Sequence, residues 1–360
     1  HRGDISSIIK QKNDYYIGFK SSGLIQLKYL PDSKVKYAIQ SINIQSGIFC
    51  LMKDRFQDII WVGADGQGIY MYFTDEFSIE NVLLDVPEYR VNNPVRALFL
   101  DHEQTLWIGT KGGGILRMMD FHPDRETLPQ AERILANNSA LMDNSVYSFA
   151  PGRRNSLWIG TEDGLNYYSY LTRRIEEFPV IADGKKVKYV HSICETNDST
   201  LWVVSAGEGI VKITLEASSS LPKVKSAQRF TLDGGKRNSN YFFVSYQEND
   251  STIWFGNRGY GAYKMNTRTN QLTPCRIDDV VKNQTVNDIF AIHKNDEGYW
   301  FGTSFGLTRL YQGEYRVYNE TDGFPNNTIH GILEGRDNNL WLSTNQGMVR
   351  FNVRENTVQT

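Results

Sequence analysis

One short stretch of sequence recurs eight times along the chain and limits what it can fold into. Its clearest copy is Leu106 to Met118, LWIGTKGGGILRM, and the others begin at Tyr15, Ile60, Leu157, Leu201, Ile253, Tyr299 and Leu340. All seven tryptophans lie in these copies, and Tyr16 takes the aromatic slot of the first. From Tyr16 through Trp61, Trp107, Trp158, Trp202, Trp254, Trp300 and Trp341 the steps are 45, 46, 51, 44, 52, 46 and 41 residues. A period of about 40 to 50 residues is the mark of a β-propeller, in which each repeat supplies one blade.

Each part of the repeat has a physical task. The aromatic begins an apolar strand segment, and the glycine two places on (Gly63, Gly109, Gly160, Gly256, Gly302) lets a neighbouring group approach closely. A second glycine follows six or seven places after the aromatic, where a tight hairpin demands positive φ. About ten residues upstream lies another apolar strand: ISSII from Ile5, IFCLM from Ile48, VRALFL from Val95, VYSFA from Val146, VHSIC from Val190, YFFVSY from Tyr241, VNDIFAI from Val286 and IHGIL from Ile329. Polar turns such as Asp101-His102-Glu103-Gln104, Asn197-Asp198-Ser199 and Arg336-Asp337-Asn338-Asn339 join the two. Weaker fourth strands follow, for example Gln228 to Leu232 and Tyr315 to Tyr318. The reading is all-β: a propeller of four-stranded antiparallel blades, eight blades or seven plus one from a neighbouring propeller. Repeats run from end to end, so residues 1–360 read as one propeller sensor domain. The insertions Asp120 to Ala131, with Pro123 and Pro129, and Leu215 to Lys225 account for the two widest steps.

Composition removes several function classes. The formal net charge is −2 and no basic cluster carries interleaved aromatics, which argues against a nucleic-acid partner. No run of 18 apolar residues is present, so contact with a membrane is expected only through segments outside this stretch. His1 in place of an initiator methionine suggests a processed or excised segment. Cys50, Cys194 and Cys275 stand far apart with no CxxC pair, and Cys50 and Cys194 read as buried free thiols on inner strands. No metal site, cofactor or catalytic group is expected. Nucleotide-binding, zinc-protease, nucleophile-elbow and EF-hand motifs are lacking. The SxxK matches at Ser7 and Ser220 fall in a strand and a polar insertion and occur at chance level.

His191 and His330 occupy equivalent inner-strand slots, where other repeats carry Arg96, Tyr147 and Asn287. Hydrogen bonding between blades, or with channel water, accounts for such a ring without any further role. Ligand contacts are better sought in the loops between second and third strands, which open on the same face as the loops leading into each inner strand. Lys20, Asp65, Gln67, Lys111, Glu162, Asp163, Glu208, Arg258, Tyr260, Phe305, Asn345 and Gln346 lie in the first set; Asn93, Asn144, Tyr189, Asn240, Tyr241 and Asn327 lie in the second. Aromatic faces beside planar amides and charges suit a sugar, with its apolar C–H surface and many hydroxyls. The ligand-binding candidates are Arg258, Tyr260, Tyr241, Lys111, Glu162 and Asp65, and an anionic sugar would favour Arg258 and Lys111. Asn93, Asn144 and Asn327 read as ordinary turn residues.

The LWIGTxxGGL repeat, together with Asp322-Gly323-Phe324-Pro325-Asn326-Asn327-Thr328-Ile329-His330-Gly331-Ile332-Leu333-Glu334 leading into NLWLSTNQGMVRF, resembles the periplasmic sensor region of gut-bacterial hybrid two-component system proteins. The resemblance runs the whole length. It implies two propellers and a small β-sandwich ahead of a membrane helix, histidine kinase, receiver and DNA-binding regulator, usually as a homodimer. It further implies recognition of oligosaccharides without turnover. Of these parts only propeller sequence is present, and the family's usual seven blades per propeller differ from eight repeats. A protein-interaction scaffold and, less readily, a propeller lyase using His191 or His330 are the rival expectations.

Overall fold

We describe the chain from a computed structural model, over residues 4–31, 33–44, 46–53, 59–65, 68–73, 91–122, 130–196, 200–217, 219, 221–235, 237–275, 277, 284–335 and 337–359. Gln67, Pro123, Pro129, Asn197 to Ser199, Ser220 and Arg336 lie outside these residues.

The strands form eight consecutive antiparallel meanders. Blade I comprises Ile5–Gln11, Asp14–Phe19, Gly23–Tyr29 and Tyr37–Ile42; blade II comprises Ile48–Lys53, Ile59–Ala64 and Gly68–Phe73. Blade III comprises Val95–Leu100, Leu106–Thr110, Ile115–Met119 and Gln130–Ile134; blade IV comprises Val146–Gly152, Ser156–Thr161, Gly164–Ser169 and Arg174–Phe178. A short hairpin, Ile181–Ala182 with Lys185–Lys186, precedes blade V, which comprises Val190–Glu195, Thr200–Ser205, Gly209–Leu215 and Val224–Phe230. Blade VI comprises Phe242–Asn249, Thr252–Asn257, Gly261–Asn266 and Gln271–Cys275. Blade VII comprises Ile289–Asn295, Gly298–Thr303, Gly306–Tyr311 and Glu314–Tyr318; blade VIII comprises Ile329–Glu334, Leu340–Thr344, Gly347–Asn352 and Thr357–Gln359.

The repeat's chemistry explains this regularity. The eight hairpin glycines, from Gly23 (φ 79°) to Gly347 (φ 105°), all adopt positive φ. Asp101 closes its turn by accepting the backbone N–H groups of Glu103 and Thr105, the local bonding that favours aspartate in turns. Every inner strand also carries a bulge one residue after its first, as between Val146 and Ser148 or Ile329 and Gly331. One residue per blade thereby loses its cross-strand partner.

The core lies between blades. The aromatic of one blade packs on the next: Trp107 with Leu157 and Tyr168, Trp158 with Val203, Trp202 with Phe255, Trp254 with Phe301 and Trp300 with Phe351. At five seams the first residue of an inner strand seats over the preceding blade's glycine. A Cβ on Gly109 would lie 2.8 Å from Val146 Cγ1, and Gly18, Gly160, Gly256 and Gly302 meet Ile48, Val190, Ile289 and Ile329 in the same way.

This packing runs from blade I to II and, separately, through III to VIII. Among the described residues nothing comparable joins II to III or VIII to I. Burial follows the same division. Ile48, Val146, Val190, Phe242, Ile289 and Ile329 are fully buried, whereas Ile5 and Val95, which begin the two runs, are about half exposed. Trp61 and Trp341, at the far ends of the runs, are half-buried while the other five tryptophans are buried. Cys50 departs from expectation for this reason. It is exposed because, among the described residues, no blade covers the position at which Ser148 is buried against Val190. Cys194 is partly buried; burial pushes its thiol up to about 11, and the thiol donates to Gln247 in blade VI.

Candidate functional site

Alternation of strand direction puts the second-to-third-strand loops and the lead-in loops on one face, and their backbones are tied together. The N–H groups of Lys20, Asp65, Lys111, Glu162, Ala206 and Arg258 donate to the carbonyls of Asp4, Gly47, Pro94, Ser145, Tyr189 and Tyr241. Within each of these six blades the variable loop therefore rests on the residues that start its own inner strand.

The bulged residues occupy one equivalent inner-strand slot per blade, a set that sequence reading only partly anticipated. Its members are Ser6, Phe49, Arg96, Tyr147, His191, Phe243, Phe290 and His330. Five of them, on blades IV to VIII, make a continuous row of rings. Tyr147 and His191 stack at 4.5 Å and 9°; His191 meets Phe243 edge-on at 5.1 Å; Phe243 and Phe290 lie 6.1 Å apart, and Phe290 and His330 5.3 Å apart. Asn287 is not in this set. The inner strand of blade VII begins at Ile289, and Val286 and Asn287 belong to a preceding 3-10 turn, Gln284–Asn287. Val286 and Ile289 are both fully buried, so apolar pattern did not distinguish them. The slot's occupants, Phe243 and Phe290, were open to detection by counting one residue past the buried residue that seats on the preceding blade.

Burial holds the His191 imidazole down near pH 4, with the Arg96 charge acting in the same direction, so the ring is neutral at ordinary pH. Burial also pushes the Tyr147 phenol up to about 12, aided by Glu162, which accepts its hydroxyl at 2.9 Å. His330 Nε2 is bonded to Asn345 Oδ1 at 2.8 Å.

The sequence-derived candidates fall into three groups on this face. Tyr241 and Glu162 flank the aromatic row. The Tyr241 ring is 6.4 Å from Phe243, and Glu162 holds Tyr147. Arg258 and Tyr260 stand exposed in the loop whose Arg258 N–H donates to the Tyr241 carbonyl at 2.9 Å, and neither side chain has a partner among the described residues. Lys111 and Asp65 are exposed on the loops of blades III and II, without described side-chain contact to the row. Asn93, Asn144 and Asn327 serve their turns, through Lys111 carbonyl, Ala136 N–H and Glu320 N–H respectively. Asp163 and Glu208 are engaged by Lys186 and Lys188, and by Arg229.

Three stretches of the chain, 90–112, 140–163 and 323–346, match the model of the two component regulator propeller family. They coincide with the lead-in, inner and second strands of blades III, IV and VIII. Over those three stretches the chain is similar to two component regulator propeller repeats. Over 181 residues, 49% of this chain and 13% of the relative, it is 26% identical to histidine kinase P4 of Formosa agariphila. Two solved extracellular domains of B. thetaiotaomicron chains classed as hybrid two component systems, BT4673 and BT3049, superpose with TM-scores of 0.62 and 0.62 at 21% and 22% identity. They cover 100% and 99% of this chain, which spans 48% and 46% of theirs. The chain is thus about half the length of these solved domains, and at such identity they establish the propeller fold. Two of the matched stretches, 140–163 and 323–346, hold Tyr147 and His330, the two ends of the row of rings described above.

Proposed function

We propose that this propeller region is the extracytoplasmic, periplasmic sensing part of a hybrid two-component protein, and that it binds an oligosaccharide without turning it over. The observation that carries the reading is the loop face of blades IV to VI. There a row of rings runs beside Tyr241, and Arg258 and Tyr260 project with their hydrogen-bonding groups free among the described residues. Apolar ring surface next to unengaged donors is what a saccharide's C–H faces and hydroxyls require. Lys111, Glu162 and Asp65 extend the same face on other blades. Binding would signal to a kinase elsewhere in the protein only by favouring one arrangement of neighbouring propeller and sandwich domains, or of a homodimer, over another.

Two observations weigh against the rival readings. A lyase needs a base that titrates near its working pH, whereas His191 is half-buried, stacked on Tyr147 and held near 4, and His330 is bonded to Asn345. A scaffold would use exposed apolar surface. Among the described residues, the inner strand of blade III exposes Val95, Leu98 and Leu100 at positions that face the preceding blade elsewhere, so another part of the same protein fits that surface better.

The test is thermal unfolding of the chain against a panel of neutral and acidic oligosaccharides, since a ligand of the folded state raises the melting temperature. A dose-dependent rise that Arg258→Ala and Tyr260→Ala abolish is expected. No rise with any saccharide overturns the reading for this region.

A further inference from the structure

Blade V carries a cavity of about 350 Å³ on the loop face, walled by Tyr189, Lys185, Gly207, Glu208, Arg229 and Thr231. That size stands at the lower end of small-molecule pockets, about 300 to 1,000 Å³, and suits one sugar ring.

The charged wall is built before any ligand arrives. The Arg229 side chain is 8% exposed; its Nη1 donates to the Glu208 carbonyl and to Oε2, each at 3.1 Å, and its Nη2 to the Lys185 carbonyl at 3.5 Å. Its Nε–H finds no acceptor among the described residues. Asp183 receives the Arg229 backbone N–H at 3.2 Å, clipping the Ile181–Lys186 hairpin to the blade. Neighbouring charges largely cancel: Asp163 takes Lys186 at 2.6 Å and Lys188 at 2.7 Å, and Glu208 takes Arg229. Lys185 is the exception, exposed at the cavity wall with no side-chain partner among the described residues.

Tyr189 adds an independent sign. Its φ is 51°, and among the described residues it is the one aromatic in the left-handed region. Such backbone is costly for a bulky residue and persists where its surroundings enforce it. Here the Tyr189 N–H donates to the Glu162 carbonyl at 2.8 Å and its carbonyl accepts from Ala206 at 3.1 Å. Strain is thus spent on holding an aromatic residue at the cavity wall.

We propose that this cavity is the subsite for a sugar residue bearing a carboxylate or sulfate. Tyr189 packs on the C–H face, Lys185 pairs with the anionic group, and the Glu208–Arg229 pair fixes hydroxyls. The proposal rests on the oligosaccharide-sensing reading and specifies its ligand class.

Isothermal titration of the 1–360 chain with cellobiouronic acid, glucose 6-sulfate and cellobiose tests it. The acidic probes should bind, with rising salt weakening them, and the arm that binds more tightly separates carboxylate from sulfate. Lys185→Gln should weaken them about tenfold without changing cellobiose. Tyr189→Gly, which suits the left-handed backbone and so keeps the fold, should weaken them as well. Acidic-probe binding that survives both substitutions but is lost in Arg258→Ala overturns this subsite and leaves the sensor reading standing. A thermal shift from neutral oligosaccharides with no heat from either acidic probe does the same. Silence from every saccharide overturns both.

Discussion

Gly109 shows how little room the fold leaves at a single residue. Its missing side chain is the socket for Val146 of the next blade, and a Cβ there would also lie 3.1 Å from Phe149 Cε2. Because both contacts are with packed side chains of another blade, the strain has no flexible tip to absorb it. Gly109→Ala should cost about 1–3 kcal/mol by overpacking, read as a lower melting temperature, and adding Val146→Ala should recover part of the loss. Equal loss in the single and double variants would mean that the seat does not govern this position. Blade V supplies a natural comparison. There Val204 fills the equivalent slot and Phe242 begins the next inner strand, so the socket is a property of each blade pair.

At the scale of elements, the indole N–H groups of the repeat's tryptophans are latched by polar side chains at strand ends, within the same blade for Trp107, Trp254 and Trp300 and across a blade seam for Trp158. Trp107 Nε1 donates to Asp101 at 2.9 Å, Trp158 to Glu195 at 2.8 Å, Trp254 to Glu248 at 2.8 Å and Trp300 to Asn295 at 2.9 Å. The blade VI latch is the most heavily bonded. Glu248 also accepts Tyr299 at 2.6 Å and Lys294 at 3.0 Å from blade VII, and faces Lys264 at 3.5 Å. Burial alone would raise this carboxyl, but the donors of Tyr299, Trp254 and Lys294 and the Lys264 charge outweigh it and hold it at about 2, below its usual 4.5. The folded chain then binds fewer protons than the unfolded one between those values. Stability from this latch is complete above about pH 4.5 and is lost as pH falls toward 2, on the order of 3 kcal/mol. Melting temperature measured from pH 7 to 2.5 should fall steeply in this window. Glu248→Gln should be less stable at pH 7 with a shallower fall, and an unchanged slope would contradict the latch.

Across the whole molecule, equivalent residues are unequal because blades are stabilised by neighbours, as in any repeat protein. Trp158 is fully buried between blades IV and V, while Trp341 ends a run and is half-buried. The same substitution should therefore differ in cost. Trp158→Ala should lose about 3–5 kcal/mol, the range for a buried aromatic, and Trp341→Ala clearly less; denaturant midpoints compare them directly. Equal losses would indicate that blade VIII is covered as fully as blade IV. The proposed ligand face belongs to this scale as well. Glu162 on blade IV, Tyr189 and Arg229 on blade V and Tyr241 on blade VI come near one another because successive blades pack side by side.

Strand order, hairpin glycines and the number of repeats were legible in the sequence because they rest on local chemistry repeated eight times, whereas eight blades and seven plus one both remained open readings of that repeat number. Positive φ comes most cheaply from glycine, an aspartate closes its own turn, and alternation selects a strand. The common face of the loops also followed, since antiparallel connection leaves no other arrangement. What lay beyond sequence was decided by contacts between residues far apart in the chain. Phe243 and Phe290 entered the inner-strand slot through the bulge register. Asn287 left it because a 3-10 turn precedes its strand. Arg229 and Lys185 met at a cavity by way of a hairpin outside the repeat. Cys50 and Trp61 are more open than their counterparts because, among the described residues, no following blade packs on theirs. A repeat specifies its own blade through neighbours in sequence; burial at a seam depends on which blade packs against it, which only the tertiary structure decides.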